Sequence, residues 1–384
     1  MSDTAIASIG TAVPKYQHHQ TDIARFMKNA LSADAALGRR IDYLYHRSQI
    51  RTRYSCIPDY SCVYPRHFEF YPQNWRLAPS PTTGQRMAKY QAESLQLCIA
   101  AVADALSQPN ASKLSAVTHL IVVSCTGFYA PGLDIHLVKA LGLSPDVGRT
   151  LIGFMGCHAA FNGIRVADAI CRSDTDATVL LICVELCTLH FQQSPVPHHL
   201  IANGIFADGA AAVFFSRRTC FTTCGQSSAG TRSHRRHALL IKNSSSWIVD
   251  DSLNEMTWTI GDTGFEMQIS PAIPKILAVN LPVFIQRLLK PYNLDKTEID
   301  FWAVHPGGRA ILDTVQQRLD LSVLQIEDSR AVLRDYGNMS SSSVLFVLKR
   351  MLQRLQNGEA LQHCVAMAFG PGLTLEGCLL EIAR

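Results

Sequence analysis

The sequence predicts an α/β fold built from two duplicated halves, and three observations carry that expectation. Short apolar, strand-like runs alternate with segments of helical period along most of the chain. One order of parts then occurs twice. The apolar run at 119–125 is followed about 35 residues later by a glycine-flanked turn opening a helix at Cys157, and then by Phe206-Ala207-Asp208-Gly209. The run at 300–304 is followed at about the same interval by a turn at Asn338, and then by Phe369-Gly370-Pro371-Gly372. Finally, 384 residues at 47% hydrophobic content are enough to bury the core of such a duplicated domain. The expected division places Cys157 in a first half, 1–225, and His305 with Asn338 in a second, 226–384.

In chain order, 4–13 reads as a strand that stops at Pro14, and 21–31 as a helix. Arg47, Arg51 and Arg53 then gather three cations within seven residues. Residues 56–84, rich in Pro, Tyr, Cys and Ser without clean periodicity, read as a long surface loop. Ala, Leu and Val at three- and four-residue spacing predict a helix over 85–106. A buried strand follows at 119–125, then a loop through 128–133, and a further buried strand at 179–183 flanked by Asp176 and Glu185. Residues 216–237, with Arg232, Arg235 and Arg236 close together, read as an exposed linker or hairpin between the halves.

Composition narrows the function classes. A net charge of +4 with dispersed acids does not call for a nucleic-acid partner, though it suits an anionic small substrate. No apolar run reaches the length of a membrane span, and the first residues carry an acid where a signal peptide would be basic. A cytoplasmic protein without membrane insertion is expected. Twelve cysteines, none spaced C-x-x-C and several inside apolar runs, read as reduced thiols rather than disulfides, and no metal site is expected.

Three positions stand out chemically. Cys157 follows a Gly-rich turn at a helix start, where unpaired N–H groups and the macrodipole favour a thiolate and predict a lowered pKa. His305 ends a strand-like run, because Pro306, Gly307 and Gly308 cannot continue it. Asn338 lies in a turn opening another helix. Alone, each has an ordinary structural explanation: a buried thiol, a satisfied core histidine, a helix cap. Together they are the parts of a Cys-His-Asn constellation for acyl transfer.

The motifs GCHAAFNGIRVA (156–167), AVHPGG (303–308), YGNMSSSSVLF (336–346) and AFGPGLTLEG (368–377) stand in the order and spacing of the type III polyketide synthases. The chain resembles these chalcone synthase-like enzymes over nearly its whole length, and looks like a bacterial-type member. The resemblance implies the thiolase fold, with five αβαβα layers in two duplicated halves. It also implies a homodimer with no cofactor, for which acyl-CoA and malonyl-CoA are substrates. The implied chemistry is starter loading on Cys157, repeated decarboxylative Claisen condensation with malonyl-CoA, and cyclisation.

The resemblance carries further residues across. Arg47, Arg51 and Arg53 match a basic segment that holds coenzyme A phosphates. Phe206 matches the aromatic gate between tunnel and reaction cavity, and a second gate falls at Phe265 or Met267. Thr126, Cys187, His190, Trp258 and Ser340 would shape the cavity. His190 and Trp258 are bulkier than their plant counterparts, and Ala130 stands where plant chalcone synthases carry a methionine that crosses the dimer. These departures resemble fatty-acyl-using bacterial members and point to an alkylresorcinol or alkylpyrone product. The alternatives are a β-ketoacyl synthase III-like enzyme dependent on carrier protein, a hydroxymethylglutaryl-CoA synthase using Glu185 as base, a Cys-His-Asn hydrolase, and a non-catalytic binding protein.

Overall fold

The computed structural model describes residues 3–108, 110–217 and 237–383. Among the described residues, thirteen strands and ten helices follow one another. The first stretch holds β1 (Thr4–Ala12), β2 (Tyr16–His19), α1 (Gln20–Ala30), α2 (Ala35–Arg47), β3 (Thr52–Ser55) and α3 (Thr83–Leu106). Then come β4 (His119–Ser124), α4 (Leu133–Leu141), β5 (Gly148–Gly153), α5 (Ala159–Ser173), β6 (Val179–Leu186), α6 (Pro197–Ile205) and β7 (Asp208–Arg217). The remainder holds β8 (Ala238–Ile248), β9 (Met256–Gly261), β10 (Gly264–Ile269), α7 (Ile273–Leu289), β11 (Phe301–Val304), α8 (Arg309–Leu319), α9 (Val323–Tyr336), α10 (Ser343–Gln356), β12 (His363–Gly370) and β13 (Thr374–Ala383).

The strand echo read from the sequence is a real repeat. Nine strands join in the order β11-β12-β13-β8-β1-β7-β6-β4-β5. On one side β4 runs parallel to β6, which pairs antiparallel with β7, which pairs antiparallel with β1. On the other, β11 runs parallel to β12, followed by antiparallel β13 and β8. The two sets meet where Thr4–Ile6 of β1 pairs with Leu239–Ile241 of β8. The predicted boundary between residues 225 and 226, and the linker with Arg232, Arg235 and Arg236, lie outside the described residues.

Alternation along the strands builds the layers, since successive side chains point to opposite faces. Ile121 and Val123 of β4 enter a central core, while Leu120 and Val122 enter a core on the other face. Cys364, Ala366 and Ala368 of β12 enter the same central core, while Val365, Met367 and Phe369 face a third. The central core is filled by α5 (Ala160, Phe161, Ile164, Ala167) and α10 (Val344, Leu345, Val347, Leu348). With the two halves of the sheet on either side of this core, the layers run helix, half-sheet, helix pair, half-sheet, helix, the five-layer thiolase-like arrangement.

The expected strand at 4–13 and helices at 21–31 and 85–106 match β1, α1 and α3 to within a residue or two. Helix α3 starts at a capping box in which the Thr82 hydroxyl and the Gln85 amide each satisfy the other's backbone N–H. Residues 56–84 differ from a loop lying over the surface. Tyr60, Phe68 and Tyr71 are buried around Phe26, and the Asp59 carboxylate takes the N–H groups of Glu69, Phe70 and Tyr71 at 2.8, 3.1 and 2.8 Å. Aromatic anchors separated by turns have no period, so their packing leaves no regular pattern in the sequence.

Candidate active site

Cys157 is delivered by a tight turn between β5 and α5. Phe154 and Gly156 both take positive φ, 57° and 86°, and two residues after the cysteine the helix begins. Gly156 is required for a second reason: a Cβ there would strike the ring of Pro371, in the hairpin between β12 and β13. His305 follows the last residue of β11, and its N–H is held by Met367 O at 2.8 Å on β12. Asn338 lies between α9 and α10. Its backbone exchanges bonds with the chain on either side of Phe206: Asn338 N donates to Ile205 O at 2.9 Å, and Ala207 N to Asn338 O at 2.8 Å.

These three side chains, drawn from opposite halves of the sheet, line one cavity of about 380 Å³. The Asn338 Nδ2 group points at Cys157 Sγ from 4.0 Å and reaches Gly307 O at 3.3 Å, while its Oδ1 is fixed by Ser340 N at 2.9 Å. That fixed oxygen settles which end of the carboxamide faces the sulfur. Both ring nitrogens of His305 are buried without a hydrogen-bond partner among the described residues, a costly state for a group with no task.

The electrostatics correct one expectation. Burial pushes the Cys157 thiol up to about 11, against the opposing pull of Ser340, Asn338 and its own backbone N–H; nearby Glu185 adds to the rise. Burial, aided by the neighbouring His158, holds His305 down to about 3. The pair is therefore a neutral thiol and a neutral imidazole on one cavity, not a preformed ion pair. Desolvation outweighs the helix terminus because the cysteine is only 5% exposed.

Phe206 and Met267 line this cavity and also two smaller spaces behind it. One is an inner pocket of about 20 Å³ bounded by Cys125, Thr126, Cys187, Trp258 and Ser340, room for about one water. The other, about 40 Å³, is reached past Cys187, His190 and Trp258. Met267 sits opposite Trp258 in the β9–β10 ladder. Phe265 departs from the gate position: it is buried in an aromatic stack, 4.1 Å from the parallel ring of His190, and touches none of these spaces.

His190 is itself a packing element. Its Nδ1 accepts from Phe265 N at 3.0 Å, which assigns the proton to Nε2, donated to Thr126 O at 2.8 Å. Trp258 Nε1 donates to Cys125 O at 2.8 Å. Glu185, the candidate base for a hydroxymethylglutaryl-CoA synthase mechanism, is fully engaged. It accepts from Cys125 N at 3.0 Å, from the Thr126 hydroxyl at 2.9 Å and from the Ser341 hydroxyl, and burial raises its carboxyl to about 7.

The three expected phosphate-binding arginines separate. Arg47, in the last turn of α2, lines the cavity mouth. Arg51 is exposed and pairs with Asp335 at 2.9 Å. Arg53 is not at the mouth: it is 3% exposed and donates to Gln20 Oε1, Asn203 O and Phe206 O at 2.9, 2.8 and 2.6 Å. Entry into β3 turns its side chain inward, where its charge is spread over neutral acceptors. A cation the sequence reading missed, Arg309, lines the mouth beside Arg47. Its position directly after the AVHPGG motif was the available signal.

A thiolase-like fold with a large cavity ending in Cys, His and Asn defines the class as a condensing acyltransferase. The family models agree with that reading: "Chalcone and stilbene synthases, N-terminal domain" matches residues 2–217, and the corresponding C-terminal domain matches 241–383. The chain belongs to this family and is a type III polyketide synthase. Among its relatives, the alpha-pyrone synthesis polyketide synthase-like Pks18 of Mycobacterium tuberculosis H37Rv is 28% identical over 379 residues, 99% of this chain and 91% of that one. Type III polyketide synthase 10 of Oryza sativa subsp. japonica is 30% identical over 397 residues, 97% of this chain and 91% of that one. The crystal structure of PKS-I from the brown alga Ectocarpus siliculosus superposes with a TM-score of 0.88 at 32% identity, covering 99% of this chain and 98% of that one.

Proposed function

We propose that this synthase loads an acyl starter from coenzyme A onto Cys157, extends it with malonyl-CoA, and cyclises the product to an alkylpyrone or alkylresorcinol. The observation that carries the reading is the meeting of Cys157, His305 and Asn338 on one cavity, with both imidazole nitrogens unengaged among the described residues. Because the resting pair is neutral, the thiol proton passes to His305 as sulfur attacks the thioester carbonyl, and coenzyme A leaves with a proton. Malonyl-CoA then loses CO₂, and the bonding pair becomes an enolate whose oxygen accepts from Asn338 Nδ2 and from the His305 ring N–H. Neutral donors suit this step, since a fixed cation would also stabilise the starting carboxylate. The cavity wall, with Leu44, Ile201, Ile205, Ile269, Ile273 and Ile311, withholds water from that carboxylate and favours its departure. The enolate carbon attacks the Cys157 thioester, and the lengthened chain leaves the sulfur for coenzyme A.

Arg47 would take coenzyme A phosphates at the mouth, with Phe206 and Met267 as the gate and Thr126, Cys187, His190, Trp258 and Ser340 shaping the space behind it. The alkyl product class draws support from the apolar cavity wall, from the crowding by Trp258 and His190, and from the pyrone-forming relative's name. A homodimer would form along β5, whose outer edge is unpaired among the described residues and which carries exposed Leu151, with Met155 just beyond. Two halves, 1–225 and 226–384, account for the repeated strand order. We place the protein in the cytoplasm, where its described cysteines would stay reduced. Among the described residues no helix is long and apolar enough to cross a membrane.

Mass spectrometry of products from purified enzyme, malonyl-CoA and a panel of acyl-CoAs tests the proposal. Iterated condensation without carrier protein is expected. Strict dependence on acyl carrier protein would instead place the chain with β-ketoacyl synthase III, and hydrolysis without carbon–carbon bond formation with the hydrolases.

A further inference from the structure

We infer that Arg53, with Gln20 behind it, is a positioning residue that ties the Phe206 gate to the Asn338 donor. The inference rests on the synthase reading above. Helix α6 ends in the gate, and its last carbonyls have no partner within the helix. Arg53 Nη1 holds two of them, Asn203 O at 2.8 Å and Phe206 O at 2.6 Å. Gln20 Nε2 holds a third, Gly204 O at 2.7 Å, while its Oε1 accepts from Arg53 Nε at 2.9 Å. The carbonyl between them, Ile205 O, is taken by Asn338 N at 2.9 Å.

The same arginine also reaches the other partner. Its stem lies under Gly337, whose φ is +74° and where a Cβ would come within 2.9 Å of Arg53 Cγ and 3.0 Å of Ile205 O. One side chain therefore contacts the backbone of Phe206 and the residue preceding Asn338. A displacement of either is felt by both.

A buried guanidinium is a costly tie for neutral carbonyls, and Arg53 makes no ion pair within 4 Å among the described residues. What it offers over an amide is reach. The two N–H groups of Nη1 hold two carbonyls three residues apart and place a positive charge at the C-terminal end of α6, where the macrodipole favours it. Phe206 faces all three spaces around the reaction centre, so a small shift of its peptide opens the thioester to water while it moves the Asn338 carboxamide off the enolate.

The test separates loading from the later steps of extension. In Arg53→Met, which keeps the stem and removes the donors, single-turnover acylation of Cys157 is expected within about twofold of wild type, while hydrolysed starter relative to extended product rises about tenfold or more. Arg53→Lys, able to reach one carbonyl, should fall between, and Gln20→Leu should shift the ratio about two- to threefold. An unchanged ratio in a folded Arg53→Met enzyme, or acylation and extension falling in proportion, overturns the inference. If Arg53→Met fails to fold by thermal melting, the ratio in Gln20→Leu decides in the same way. A wild-type enzyme that loads acyl groups but makes no polyketide overturns the synthase reading and this one with it. A productive wild type with unshifted variants overturns this one alone.

Discussion

The outer cavity and the inner pocket share Phe206 and Met267 as a common wall, yet their polar groups are treated in opposite ways. Around the inner pocket the polar groups are bound: Trp258 Nε1 to Cys125 O and the Thr126 hydroxyl to Glu185, with His190 behind them held at both nitrogens. At the floor of the outer cavity the His305 nitrogens have no partner among the described residues, and Asn338 Nδ2, anchored on Gly307 O at 3.3 Å, also faces sulfur from 4.0 Å. A group that sets a shape is fixed by its bonds, whereas the imidazole that must change protonation is left free to do so. In the proposed synthase, reactivity would belong to the roomy space of about 380 Å³ and product size to the nearly filled one of about 20 Å³.

If that division is right, substitutions on the two sides should fail differently. Cys157→Ala should abolish acyl loading entirely, read as the absence of any mass increase after incubation with acyl-CoA. Asn338→Ala should still load, but decarboxylate malonyl-CoA about a hundredfold more slowly, the usual cost of one lost oxyanion donor. Normal extension by this variant would end the oxyanion assignment.

The neutral resting pair predicts a pH dependence. With the thiol near 11, the thiolate fraction and hence iodoacetamide labelling of Cys157 should rise about tenfold per pH unit from about 7 to 9. A plateau across that range would reinstate an ion pair. On the other side of the wall, Trp258→Gly should leave loading intact and shift products several-fold towards additional extensions or longer starters, visible by mass, because it enlarges the space behind the gate and leaves the outer cavity as it is. Unaltered product lengths would mean that this space does not measure the chain. The smallest effect is expected from Arg51→Ala, under about twofold on KM for malonyl-CoA, since an exposed guanidinium already paired with Asp335 contributes little; Arg47→Ala should cost more.

Much of the fold and the reactive triad is legible in the sequence. Turn chemistry is local, so the glycine at 156 and the Pro-Gly-Gly after His305 mark where the chain presents side chains. The repeat of strand, turn and Phe-x-x-Gly marks which turns face one another. Burial is what the sequence hides. Arg47, Arg51 and Arg53 read as one basic face, yet they end at a cavity mouth, in solvent and inside the protein, because a helix end, a turn and a strand lie within seven residues. The direction of the Cys157 shift is hidden for the same reason: the helix terminus is visible in the sequence, but the surrounding apolar wall comes from segments far along the chain. Phe265 and Met267, two apart on one strand, could be separated only by knowing that His190 would stack on the first.

The contact between Gly156 and Pro371 has a bearing on how the enzyme is made. A ribosome releases the β5–α5 turn long before the hairpin that presses against it, so synthesis passes through an interval in which the thiol exists without its final surroundings. Activity then arrives late and all at once, when the closing strands dock, rather than growing with the length of the nascent polypeptide.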